Sequence, residues 1–403
     1  MLELRPITAT EVDAFIEVMA GAFYERRDPW HDAWFRKQVP LESTIAALDD
    51  GAIVGTSAAL PLTLSVPGGR CAAAGITAVG VQPTHRRRGL LRAMMDRQLR
   101  DARAANTPVA ILWASEGSIY GRFGFGPATR RLGVVCERPN TALIDTPSAG
   151  PLRMMDRPEA LQLMPAVYDQ LVSDRPGLLI RDRTMWDAVG ADDDPHLPAS
   201  EARHYFLIHG DPPDGYAIYR MRRSETHDGQ RATALVVELT ALGPVAEADL
   251  WRHLLALDLV GRVERRMGPI DDPVLWLAHD PQALQVQWKT GIWARLLDVP
   301  TALQTRRYQA GGVLVLDVSD PFLPEVGGRF HLQVRDGIGK CVETDDEPDL
   351  RLGISELSSA FLGQICFGAL SRAGRIMEVS PGAAIRADRL FGWDPPPWCV
   401  DEF

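Results

Sequence analysis

Three consecutive arginines, Arg86-Arg87-Arg88, are followed directly by Gly89-Leu90-Leu91. Before them runs an apolar stretch, Ala74 to Val81, closed by Pro83, and after them, to about Ala105, a segment rich in Leu, Arg, Met and Ala that favours helix. A basic loop between a strand and a helix can hold an anion for definable reasons. The first turn of a helix carries N–H groups without partners and a partial positive charge. The arginines add fixed charge, and Gly89, lacking a side chain, lets the backbone come close to a phosphate. The plainer reading is a solvated basic turn or a nuclear or RNA-binding tag. The place between strand and helix, with glycine next, favours the anion site.

The surrounding elements must position that loop. Thr8-Ala9-Thr10-Glu11, then Phe15, Ile16, Met19 and Phe23, predict a capped helix over about 8 to 24. Strands are expected at Ala52 to Leu60, Leu62 to Val66 and Ala74 to Val81, with a hairpin at Pro67-Gly68-Gly69. Val109 to Ala114 reads as a buried strand and Ser115 to Phe123 as a short helix or turn, ended by the glycines up to Gly126. The order is that of a mixed α/β domain.

A Pro-, Ser-, Ala- and Gly-rich linker at Thr146 to Gly150 separates a second unit that repeats the first. It reads as helices near 158 to 173 and 182 to 189, a loop at Ala191 to Ser200, strands at 204 to 209, 215 to 222 and 232 to 241, a helix at 246 to 259 and a strand near 274 to 279. Its equivalent loop, Gly243-Pro244-Val245-Ala246-Glu247, has no arginine and puts an acid in the first helical turn, where a phosphate would be repelled. The second unit therefore reads as a degenerate copy. From about Gly311, strands at Val313 to Val318, Phe330 to Val334 and Gly339 to Glu343, the last two joined by Asp336-Gly337, precede helices from Ser355 and from Pro381 to Leu390. This reads as a small α+β domain.

At 403 residues the chain is long enough for two or three domains. With 46% apolar and 24% charged residues it has the composition of a globular protein. No signal segment or membrane span is recognisable, and a cytoplasmic protein is expected. The five cysteines, Cys71, Cys136, Cys341, Cys366 and Cys399, lack metal or disulfide spacing, so no metal is expected and the thiols should be free and mostly buried. A net charge of −10 disfavours a nucleic-acid partner and would suit a cationic one.

The runs Val79-Gly80-Val81-Gln82-Pro83-Thr84-His85-Arg86-Arg87-Arg88-Gly89-Leu90-Leu91-Arg92-Ala93-Met94 and Ala114-Ser115-Glu116-Gly117-Ser118-Ile119-Tyr120-Gly121-Arg122-Phe123-Gly124-Phe125-Gly126-Pro127-Ala128 resemble the Eis (enhanced intracellular survival) acetyltransferases of mycobacteria and other actinobacteria. The resemblance covers the whole chain. It implies an α/β (α+β) chain of two tandem GNAT folds, the second degenerate, and a sterol-carrier-protein-like domain: a catalytic domain at 1–148, a GNAT-like domain at 149–298 and the last domain at 299–403. The general GNAT loop, Q/R-x-x-G-x-G/A, is met by Arg86 and Gly89, with Leu91 in place of the final small residue, as in the Eis type.

The resemblance further implies an acetyl-CoA-dependent N-acetyltransferase. Val79 and Val81 would offer backbone groups to pantetheine as an added strand does. Arg86, Arg87, Arg88, Gly89, Leu90, Leu91, Ser115 and Glu116 would complete the donor site. Tyr120 would be the general acid, its alternative being a packed aromatic beside Phe123 and Phe125. The chain ends in Trp393-Asp394-Pro395-Pro396-Pro397-Trp398-Cys399-Val400-Asp401-Glu402-Phe403, stiff and with aromatic anchors, where most termini fray. By resemblance the Phe403 carboxylate is the base, with Asp401 and Glu402 making the acceptor pocket acidic. Phe23, Trp30 and Trp34 are candidates for its walls, though aromatics on helices are more often core.

Lys289 and Thr290 stand where resembling proteins can carry an acid. The expected acceptors are polyamine small molecules such as aminoglycosides, acetylated at one or more amines. Protein lysines, or a non-enzymatic lipid-binding role with a vestigial donor loop, are the alternatives. A homo-hexamer is implied by the resemblance alone.

Overall fold

The computed structural model describes residues 2–27, 29–191, 203–223 and 232–403. Two compact units divide the chain, and neither is one continuous stretch. The first comprises Met1–Thr129, Gly291–Asp394 and Asp401–Phe403, the second Arg130–Thr290 and Pro395–Val400.

The first unit holds a seven-stranded sheet in the order Leu2–Arg5, Thr44–Asp49, Ala52–Val66, Gly69–Val81, Val109–Trp113, Ile292–Leu296, Gly126–Pro127. The pairing is antiparallel except between Gly69–Val81 and Val109–Trp113. The period of two along the second strand builds both faces. Ala46 and Leu48 pack with Phe15, Ile16 and Phe35 from the helices Val12–Ala22 and Pro29–Gln38. Their neighbours Ile45 and Ala47 pack with Leu90 and Met94 of the helix Leu90–Ala104. Burying each of the leucine, isoleucine, methionine and phenylalanine side chains among them contributes about 1.5–3 kcal/mol.

The two strands expected on either side of Pro61 are one strand, Ala52–Val66. Beyond Ala58 its pairing with Thr44–Asp49 has ended and only Gly69–Val81 remains beside it, so Pro61 sits in a stretch with one open side, the kind of place where a strand tolerates proline. The expected hairpin at Pro67-Gly68-Gly69 joins these two strands.

The same unit contains a five-stranded sheet in the order Ile338–Glu343, Gly328–Arg335, Gly312–Ser319, Leu350–Gly353, Ile376–Glu378. The helices Ile354–Ala360, Phe367–Arg372 and Ala383–Phe391 complete it. Strands mostly precede helices as expected, but Ile376–Glu378 comes between two of them. Arg295 and Asp320, both fully buried, form an ion pair of 2.5 Å joining the first sheet to this part. The Ser355 hydroxyl donates to the Phe125 carbonyl at 2.8 Å.

In the second unit seven strands run in the order Leu284–Thr290, Arg130–Glu137, Val260–Gly268, Ala232–Ala241, Pro213–Arg222, His204–Gly210, Leu152–Met155. Sheet membership thus departs from chain order: Arg130–Glu137 lies in the second sheet and Ile292–Leu296 in the first. The strand expected near 274 to 279 is instead a short helix, Val274–Leu277. A four-residue apolar run cannot by itself distinguish the two; here the Asp272 carboxylate accepts from the Val274 N–H at 3.1 Å and starts the turn.

The strand Val260–Gly268 was hidden by its charges. Arg265 is buried in it because Asp272 lies 2.5 Å away and the Leu239 carbonyl accepts a second N–H. Trp398 is buried in this unit's core with Tyr168 and Trp186, and donates its indole N–H to the Met267 carbonyl at 2.7 Å. The expected loop Ala191 to Ser200 lies, after Ala191, outside the described residues. Four of the five cysteines are buried and Cys366 is exposed. No helix among the described residues is long and apolar enough to cross a membrane.

Candidate functional site

The site begins where two central strands of the first sheet part. Gly69–Val81 pairs with Val109–Trp113 only through Ala73, Ala74 and Gly75. Beyond that point the first of these strands carries a bulge. Thr56 faces Gly80 and Ala58 faces Thr77, so Ala78 and Val79 together oppose Ser57. Ala78 takes a φ of 52° and its carbonyl accepts from the Thr56 hydroxyl at 2.8 Å. A bulge of this kind bends the strand and re-aims its backbone groups.

A cavity of about 620 Å³ is lined by Val79, Gly80 and Val81 on one side and by Ser115, Glu116 and Tyr120 on the other. Arg86, Arg87, Gly89, Leu90 and Leu91 line it as well. Gly89 adopts φ 84°, the left-handed conformation that disfavours side chains, and so turns the chain into the helix. The first helical hydrogen bond runs from the Ala93 N–H to the Gly89 carbonyl, leaving the N–H groups of Leu90, Leu91 and Arg92 ahead of it.

Arg86 is held in place by its own bonds, donating to the carbonyls of Val81 at 3.2 Å and Ala22 at 3.0 Å and to the Tyr24 hydroxyl at 3.1 Å. Arg88 is exposed and not part of the lining. Sequence reasoning missed Tyr24, Arg92 and Arg122, which also line the cavity. Arg92 could have been noticed, since it stands in the first turn of the helix; its guanidinium lies over the Phe322 ring at 4.9 Å.

Tyr120 closes the short helix Gly117–Tyr120 and is buried, with its ring edge-on to Phe125 at 6.1 Å. Burial raises its hydroxyl above the usual tyrosine range; a hydrogen bond with Ser115 works the other way, and the charge of Glu116 adds to the rise. It therefore remains a proton donor at neutral and moderately alkaline pH.

A second cavity, of about 470 Å³, is lined by Phe23, Trp34, Asp32, Ala78, Glu402 and Phe403 among others. Phe23 borders both cavities. The side chain of Trp30 lies outside the described residues. Asp401 is not part of the lining, its carbonyl accepting from the Trp113 indole at 2.9 Å. Glu25 and Asp32 in this lining were missed by sequence reasoning, although they flank the aromatic residues it had singled out.

Asp32 accepts from Arg27 Nε at 2.6 Å through one oxygen, while the other is buried without a hydrogen-bond partner. Arg27 also bonds Asp13, and the two carboxylates hold its guanidinium well above its usual range. Lys289 and Thr290 end the exposed strand Leu284–Thr290 of the second unit.

In the second unit the helix Pro244–Ala256 begins after Gly243 with Pro244, which has no N–H to offer. Glu247 in its first turn is buried, accepts from the Trp251 indole at 3.0 Å and lies 4.0 Å from Arg265. Burial and the charge of Asp272 push its carboxyl up to about 7. A carboxyl group thus stands at the helix end where the first unit offers free N–H groups.

Residues 3–128 match the model of an acetyltransferase (GNAT) domain, 177–296 a second GNAT domain model, and 299–400 that of a sterol carrier protein domain. An uncharacterized N-acetyltransferase of Streptomyces avermitilis is 37% identical over 94% of this chain and 92% of its own length. N-acetyltransferase Eis of Mycobacterium tuberculosis is 34% identical over 95% of both chains. The chain belongs to the Eis family of GNAT N-acetyltransferases. The crystal structure of Eis1 from Mycobacterium abscessus agrees along the entire length of both chains, with a TM-score of 0.86 at 31% identity. The fold is accordingly two GNAT domains with a C-terminal sterol-carrier-like domain, and the protein is an N-acetyltransferase. Acetyl-CoA is the acetyl donor of this fold.

Proposed function

We infer that the chain transfers an acetyl group from acetyl-CoA to amines of cationic polyamines, aminoglycosides among them. The observation that carries this reading is the pair of cavities meeting at Phe23: one has an arginine loop and unpaired helix N–H groups, the other carboxylates and the chain terminus. The first fits a pyrophosphate, since it combines Arg87, Arg92 and Arg122 with those N–H groups. The exposed backbone of Val79 and Val81 suits the amides of pantetheine.

The thioester supplies the acetyl group and a thiolate that must leave. Tyr120, kept protonated by burial, can donate its hydroxyl proton to that sulfur. The Phe403 carboxylate takes one proton from the incoming ammonium, leaving a neutral amine to attack the carbonyl; the C–S bond breaks after the C–N bond forms, and the second proton lost from the nitrogen restores the Tyr120 hydroxyl. Around the acceptor, Glu25, Asp32, Glu402 and the Phe403 carboxylate face Arg26 and Arg27, and Arg27 is already engaged by Asp13 and Asp32. That balance favours a multiply charged amine. The proline and buried Glu247 at the equivalent helix end of the second unit support one active site per chain.

Thiol release from acetyl-CoA is the direct assay, with an aminoglycoside or spermine as acceptor. Turnover with either supports the reading; none with either, or with a lysine peptide, overturns it. One glycine appended after Phe403 should abolish most turnover while CoA still binds, because the terminal carboxylate is displaced. Full activity of that extended chain would remove the carboxylate from the mechanism.

A further inference from the structure

Two of the contacts that hold the last three residues lie at the fork of the first unit's sheet. Gly75 is the last residue through which its strand pairs with Val109–Trp113, so it lies at the fork where the two strands part. A Cβ added there would come 2.4 Å from Leu62 Cδ1 and 3.1 Å from Phe403 Cε2. The ring of the final residue thus lies against the bare backbone at the fork, and it joins the cluster that includes Leu62 and Ala78. On the other arm, Trp113 ends its strand opposite the buried Ile292 and donates its indole N–H to the Asp401 carbonyl at 2.9 Å. Neither Gly75 nor Trp113 lines either cavity.

A chain end without anchors frays, and a carboxylate on such an end would sample many positions. Proton transfer needs the base within hydrogen-bond reach of the amine, and misplacement by about 1 Å can cost on the order of 100-fold in rate. Here one bond fixes the backbone two residues before the end, and the fork fixes the last ring. Together these two contacts narrow the positions the carboxylate can take.

The geometry points to Trp113 and Gly75 as positioning residues that seat the C-terminal Phe403 at the fork of the split sheet. The inference rests on the reading of the Phe403 carboxylate as base. It assigns the indole N–H of Trp113 a role in turnover although the side chain touches neither cavity.

The test is steady-state kinetics of the full chain with acetyl-CoA and spermine. Trp113→Phe keeps a ring and removes the N–H; Gly75→Ala presses a methyl toward the Phe403 ring. Each should lower kcat about tenfold or more, with the KM for acetyl-CoA within about twofold of the parent. Because Gly75→Ala also crowds Leu62 and can impair folding, Trp113→Phe, with its melting temperature checked, carries the decision.

The same substitution is then made in a chain ending at Glu402. If Trp113 acts through Phe403, it should have no further effect there. A costly truncation with Trp113→Phe silent in the full chain, or equally damaging in both chains, would overturn this inference alone. A truncation that leaves kcat unchanged would overturn the carboxylate reading and this inference with it.

Discussion

Across the bulge of the first sheet, the Thr56 hydroxyl donates to the Ala78 carbonyl oxygen at 2.8 Å. Thr56 is fully buried, and its bond holds the residue whose positive φ makes the bulge. The strand backbone that follows, Val79 to Val81, lines the cavity proposed to hold the donor. Thr56→Val keeps the shape and loses the hydroxyl, leaving a carbonyl without that donor at a cost of about 1–3 kcal/mol. Part of that cost should appear as a several-fold weaker affinity for CoA in calorimetry, with the amine KM little changed.

Tyr120→Phe should lower kcat by about 100-fold or more, the contribution of a general acid, while CoA affinity stays near that of the parent. The pH profile offers a second check. An acid must be protonated to act, so activity is present below its pKa and lost as pH rises through it. Because burial raises the Tyr120 hydroxyl, the alkaline limb of kcat should lie above the ordinary tyrosine value of about 10. A loss already complete near neutrality, and absent in Tyr120→Phe, would contradict the assignment.

At the cavity proposed for the acceptor, Asp32 has one oxygen on Arg27 and one without a hydrogen-bond partner. Asp32→Asn keeps the size and removes the charge. The KM for spermine should rise about threefold to tenfold, an amount that added salt would shrink, and the KM for acetyl-CoA should not move. Competition kinetics against a monoamine would check the charge argument, since the loss should be smaller for the monoamine.

In the second unit, burial pushes the Glu247 carboxyl up to about 7, against about 4.3 in an unfolded chain. Between those values the folded chain binds a proton that the unfolded chain has released, so this group's contribution to stability falls as pH rises through that window. Glu247→Gln removes the titration and keeps an acceptor for the Trp251 N–H, which lies 3.0 Å from the carboxylate. The variant should be more stable than the parent by about 3–4 kcal/mol at pH 8, and the two should converge near pH 4. Thermal melts at the two pH values measure the difference.

Much of the proposed donor site was legible because its parts are local. The strand to Val81, the loop from Arg86 to Leu91 and the helix after Gly89 are contiguous, and a helix end binds anions wherever it stands. The turn at Asp336-Gly337 and the apolar faces of the long helices follow in the same way from short-range rules. By contrast, Val260–Gly268 could not be read as a strand, because the partner that lets Arg265 be buried, Asp272, lies beyond the strand's end. Nor could the sequence tell that Arg88 stays out of the cavity while Arg92 lines it, a matter of which way the turn directs each side chain.

The residues alone determined a basic loop between strand and helix, a helix–strand order and a repeated unit whose loop carries no basic charge. Tertiary structure decided which strands complete which sheet, bringing Ile292–Leu296 beside Val109–Trp113 and leaving Arg130–Glu137 in the other sheet. It also brought Phe403 to Gly75, residues more than three hundred positions apart. Pairing across such separations depends on backbone groups that every residue shares and on the fit of distant surfaces. A local pattern of residue types carries neither, so only the folded chain displays them.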